Sequence, residues 1–90
     1  MEWREKMKNK VLVELVVPTI EETYNIFLPI NRKVGNVIVL VSKAVNELSG
    51  GYFVATDTNA LYNGDTGKIY EIDTLIRNTD IRNGSRIILM

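Results

Sequence analysis

The chain has 90 residues, enough for one domain and no second, and near the size where a single core hides only roughly 60% of the surface exposed on unfolding. Its 11 Lys plus Arg balance 11 Asp plus Glu, so no global field draws nucleic acid or an anionic membrane. It contains no Cys and no His, which removes disulfides, thiolate nucleophiles, Cys-held metals and iron–sulfur clusters, and the commonest general base.

Residues 1–10 are mostly charged and are expected to form a flexible arm, with Lys6, Lys8 and Lys10 solvating it and Trp3 and Met7 as unusual residues to leave in water. Residues 11–90 then form one domain. The β-branched run 11–17 reads as a first strand, closed by Pro18, and 24–30 reads as a second. Five residues between such runs predict a hairpin. From Val34 the period changes: Val34, Val37, Ile38, Val41, Ala44, Val45 and Leu48 recur at helical spacing. Asn31 is the expected N-cap and Gly50-Gly51 the left-handed stop. Arg32 and Lys33 have the wrong sign for a helix start, which predicts that the helix begins after them rather than that it holds an anion.

After the double glycine, residues 52–56 read as a third strand. Leu61 and Tyr62, then residues 68–70, flank a turn-rich cluster and predict a small hairpin or a bulged loop. Residues 57–67 superficially resemble a calcium loop. Leu61 stands where an oxygen ligand is needed and the closing glutamate is missing, so no metal is expected. Residues 74–76 predict a short helical or irregular turn, and Asn83-Gly84 turns the chain into a last strand holding Ile87, Ile88 and Leu89.

This order predicts an α+β domain of the β-grasp type, one helix packed across a mixed sheet of four to five strands. Thr74-Leu75, Asp80-Ile81 and the segment from Asn83 through Leu89 resemble the closing segment of ubiquitin-like domains, and are most similar to bacterial ubiquitin-like proteins of the YukD/EsaB type. The resemblance implies a cytoplasmic, non-catalytic accessory role in type VII secretion, acting through protein contacts, beside a membrane-bound secretion complex. The arm and the longer stretch between Gly64 and Ile81 depart from that pattern. Conjugated relatives need a protruding tail ending in two glycines. Here Ile87-Ile88-Leu89-Met90 closes the sequence, so conjugation is not expected.

No catalytic residue, cofactor or metal ligand is expected. Asp57, Asp65, Glu71, Asp73 and Asp80 fall in turns, and no base or nucleophile accompanies them. No apolar run approaches the roughly 18 residues of a membrane span, so no direct membrane insertion is expected. The informative surface comes from strand alternation. With Glu14 facing water, and the strand order two, one, five, three, four that the β-grasp resemblance implies, Leu12, Val16, Phe27, Tyr52, Val54, Ile88 and Met90 are expected to share one apolar outer face. Such a face calls for a cover: a partner protein, a second copy in a homodimeric scaffold, or the chain's own arm. An alternative of another class is an anion or nucleic-acid binder using Lys6, Lys8, Lys10, Arg32 and Lys33, although no nucleic acid is the main expectation.

Overall fold

The computed structural model describes residues 9–90, so the expectations placed on Trp3, Lys6, Met7 and Lys8 lie outside the described residues. The first β-branched run forms β1 (Lys10–Val17). Val13, Leu15 and Val17 are buried along it, Glu14 and Val16 are half-covered, and Leu12 is exposed. Pro18 then opens a 3-10 turn (Pro18–Ile20), Glu21 takes a left-handed φ of 54°, and the chain returns as β2 (Glu22–Pro29). The two strands pair antiparallel from Val17↔Glu22 to Lys10↔Pro29, the hairpin that the spacing predicts.

Proline fits at the end of β2 for a geometric reason. Ile30 N donates to Asn9 O at 2.9 Å, so Pro29, one residue earlier, directs its nitrogen away from β1. β2 is an edge strand, and no donor is needed on that side.

Helix α1 (Val34–Leu48) buries Val34, Val37, Ile38, Val41 and Val45, the stripe expected from the period, and leaves Val39 exposed. Leu48 is exposed as well and lines a cleft with Ile20 and Tyr52. The helix starts after Arg32 and Lys33, as their charge suggests. Asn31 does not cap it: the boundary residue is Lys33, which makes no side-chain cap bond. The orphan amides of Val34 and Gly35 instead donate to Thr74 O at 2.8 Å and Ile72 O at 2.9 Å. A neighbouring loop thus does the work of a cap, and Asn31 Oδ1 accepts from Arg77 Nη1 at 3.0 Å. At the other end Gly51 N donates to Asn46 O and Gly50 N to Glu47 O, a Schellman closure with φ of 67° and 89° at the two glycines.

Residues 52–56 do not form the expected third strand. Phe53 is the reason. Its carbonyl accepts from Asn46 Nδ2 at 2.8 Å and its N–H donates to Ser49 Oγ at 3.0 Å, so the groups a ladder would use are taken by the helix end. The Phe53 ring still enters the core, 3% exposed, and Ala55 is exposed where it borders Ile38, Ser42 and Asn46 of the helix. The third strand is β3 (Leu61–Asn63), joined antiparallel to the last strand, β4 (Arg86–Leu89). The expected small hairpin or bulged loop takes the form of a loop closed by one bridge, Tyr62↔Ile69.

The sheet order is β2-β1-β4-β3, with β4 parallel to β1 and seated between β1 and β3. Its inner face carries Leu15, Leu28, Leu61, Ile87 and Leu89 beneath the helix, all fully buried. Side chains of this kind each contribute roughly 1.5–3 kcal/mol on burial, and together they hold helix to sheet.

Candidate functional site

The face of the sheet turned away from the helix is organised in rows, because paired residues project their side chains to the same side. Leu12 pairs with Phe27. One step along, Glu14 pairs with Asn25 on one side and Arg86 on the other. The next row is the widest: Thr23, Val16, Ile88 and Tyr62 run across all four strands. Met90 follows Ile88 on the same side and exchanges two backbone hydrogen bonds with Ala60.

The seven residues expected on this face therefore fall into three places. Val16 and Ile88 lie side by side at its centre. Leu12 and Phe27, 40% and 44% exposed, form a separate patch toward the start of β1. Between the two stand Glu14 and Arg86, whose Nε donates to Glu14 Oε1 at 2.8 Å. Tyr52 and Val54, 85% and 70% exposed, are not on the sheet, since their segment forms no strand. They line, with Ile20 and Met90, a shallow indentation at the sheet's end.

Tyr62 is the residue that reading the sequence missed. It stands in the central row only because β3 begins at Leu61, and Leu61-Tyr62-Asn63 is a weak strand signal beside the more β-prone residues 52–56. Gly64 and Asn83 were missed too. A Cβ on Gly64 would lie 2.5 Å from Arg86 Cγ and 2.8 Å from Arg86 O, so glycine lets Arg86 cross beneath the loop and reach Glu14. Asn83 Oδ1 accepts from Leu12 N at 2.8 Å while Gly84 N donates to Leu12 O at 2.8 Å, which extends the β1–β4 seam through a side chain.

On the other side of β3, Asp80 joins two loops. Its carboxylate accepts from Tyr70 Oη at 2.6 Å and Asn63 Nδ2 at 3.0 Å. Burial, and after it the Asp80 carboxylate, pushes the Tyr70 phenol well above its ordinary range. Asn63 Oδ1 meanwhile accepts from Asp65 N and Thr66 N, an Asx turn that occupies the oxygen a cation would need. Among the described residues, no three His, Cys, Asp or Glu converge to hold a metal. No described helix is long and apolar enough to cross a membrane.

No protein-family model and no curated protein sequence matches the chain. Solved structures do. The chain is similar to one in the MycP5-free ESX-5 inner membrane complex, at 19% identity and a TM-score of 0.68, over 91% of its own length and 21% of that chain. It thus spans about a fifth of that protein. It is similar to the EccD5 ubiquitin-like domain from Mycobacterium xenopi, at 14% identity and a TM-score of 0.67, over 90% of this chain and 92% of that one. A chain of a toluene 4-monooxygenase complex matches at 11% identity and a TM-score of 0.68, over 89% and 95%. At these identities the likeness is one of fold: one helix over a four-stranded mixed sheet, with the last strand between the first and third, is a ubiquitin-like β-grasp.

Proposed function

We propose that the chain is a non-enzymatic, cytoplasmic ubiquitin-like interaction module, an accessory of type VII secretion of the YukD/EsaB kind, which docks a partner protein on the central row of its outer sheet face. The observation that carries the reading is that row. Val16, Ile88 and Tyr62, each half-buried, stand side by side across three strands on the face turned away from the helix. Apolar side chains grouped in this way gain most from a partner that excludes water. The secretion assignment draws support from the fold neighbours, since one is a domain of EccD5 and another belongs to an ESX-5 membrane complex. The fold also occurs within an oxygenase complex, so a non-enzymatic role rests on the site rather than on the fold.

The test is complementation in the native host. Deleting the gene should impair export of the host's type VII substrates. The wild-type chain should restore export and Ile88→Asp should not, with both proteins present at equal levels. Unimpaired export after deletion contradicts the secretion role, and full rescue by a folded Ile88→Asp protein contradicts the docking row.

A further inference from the structure

Tyr52 also borders a cleft on the side of the sheet that carries the helix. Paired residues project to one side, so Glu22 and Tyr24 follow their buried partners Val17 and Leu15 onto that face. β2 is an edge strand, and its first residues stay accessible there: Glu22 is exposed and Tyr24 half-buried. Ile20 from the turn, with Leu48 and Tyr52 from the helix end, completes the apolar walls. Leu48 and Tyr52 stand open to solvent.

The charge around this cleft has one sign. Glu22 lines it, Glu21 lies between Ile20 and Glu22, and Glu47 directly precedes Leu48, all three exposed. Among the described residues, no Lys or Arg lines the cleft or pairs with these carboxylates. Arg32 and Lys33 precede the far end of the helix, Arg77 reaches Asn31 beside them, and Arg86 is held by Glu14. Lys43, one turn before Glu47, lines a different indentation with Val39 and Ala55. Glu47 also sits in the last helical turn, where the helix dipole disfavours a carboxylate. Local stability does not account for that charge, and a cation brought from outside would relieve it.

A single inward charge on an edge strand serves to keep the strand from pairing. Three carboxylates around an apolar cleft also select an occupant. A wholly apolar partner would leave them without counter-charge, and nucleic acid or an anionic membrane would be repelled. A basic amphipathic segment matches both features. Its Lys or Arg would meet Glu22 beside the tyrosine rings, whose faces attract cations, and its apolar side chains would meet Ile20 and Leu48.

We infer that this cleft docks a basic amphipathic segment of another protein, one that sets Lys or Arg beside side chains the size of Leu. The site lies across the sheet from Val16, Ile88 and Tyr62, so both surfaces can be occupied together. Neither depends on what the other binds.

The probe is a synthetic peptide in which Leu and Arg recur at helical spacing, titrated into the isotope-labelled full chain and followed by amide chemical shifts. Saturable shifts should gather at residues 20–24 and 47–52 and spare Val16, Tyr62 and Ile88. A peptide of equal length with Glu in place of Arg should not produce them. Glu22→Gln should weaken binding about two- to fivefold, the worth of one exposed charge pair, and added salt should weaken binding to the wild-type chain. The wild-type titrations decide the matter even where a variant fails to fold. Absence of saturable shifts, shifts centred on the outer face, equal binding of the Glu peptide, or undiminished affinity in a folded Glu22→Gln protein each overturns the proposal. So do cleft shifts that grow as the chain alone is concentrated, since a second copy would then be the occupant.

Discussion

Arg86 reaches across the seam between β4 and β1 to place its Nε 2.8 Å from Glu14 Oε1, and this contact divides the outer face in two. Both side chains are substantially exposed, at 57% and 38%. Exposed pairs of this kind contribute about 0–1 kcal/mol, so the contact shapes the surface more than it stabilises the fold. In a double-mutant cycle of Glu14→Ala and Arg86→Ala, urea denaturation should give a coupling below about 1 kcal/mol. A coupling well above that would mean the pair is a structural clamp.

Two glycines should respond to alanine for opposite reasons. At Gly64 the added methyl meets Arg86, including its backbone oxygen at 2.8 Å, so the β3–β4 edge must shift; overpacking of this kind costs about 1–3 kcal/mol. At Gly84 nothing lies within 4 Å of the new Cβ, but φ is 87°. The expected cost there is conformational, about 1–2 kcal/mol. A further truncation, Arg86→Ala, should relieve part of the Gly64→Ala loss and none of the Gly84→Ala loss, as measured by denaturant midpoints.

The segment after the helix should depend on two side chains. Asn46→Ala and Ser49→Ala each remove a hydrogen bond to Phe53, worth about 1 kcal/mol apiece. Amide exchange at residues 53–55 should accelerate in both variants while β1 keeps its protection. Equal acceleration in β1 would show that the segment opens only with the whole domain.

Most of the architecture could be read from the sequence, and the exceptions have a common cause. β1, β2 and the helix stripe followed from periodicity, and Gly50-Gly51 ends the helix as its composition suggests. The third strand was misplaced because β propensity favours Tyr52, Phe53 and Val54, whereas their backbone is engaged by Asn46 and Ser49. That error counted Tyr52 and Val54 among the residues of the outer face and left Tyr62 out of them. Asn31 failed as a cap in the same way, since the carbonyls that take the first amides, those of Ile72 and Thr74, come from a segment distant in the sequence. Alternation within a strand is local and legible. Which strand stands beside which, and which side chain takes a backbone group, are tertiary facts.

Alkaline pH should weaken the Tyr70–Asp80 link. The fold favours the neutral phenol, so the stabilisation from Tyr70 is fully present below about pH 10, the ordinary tyrosine value, and is lost as pH rises past it. Tyr70→Phe should be less stable than wild type by about 1 kcal/mol at neutral pH, since the bond to Asp80 is gone. That difference should shrink above pH 10. A gap that is constant with pH would mean that the phenol ionises as readily in the folded chain as in the unfolded one.

The central claim is that the row of Val16, Ile88 and Tyr62 meets another protein. A photoreactive phenylalanine analogue in place of Tyr62 tests it most directly, because an aromatic ring replaces an aromatic ring within the row itself. The same analogue in place of Val39, exposed on the helix, is the control. Irradiation of native host cells should give a discrete adduct with another protein from position 62 and none from position 39. An adduct from position 39 alone, or from neither, would contradict the assignment of the sheet face as the docking surface.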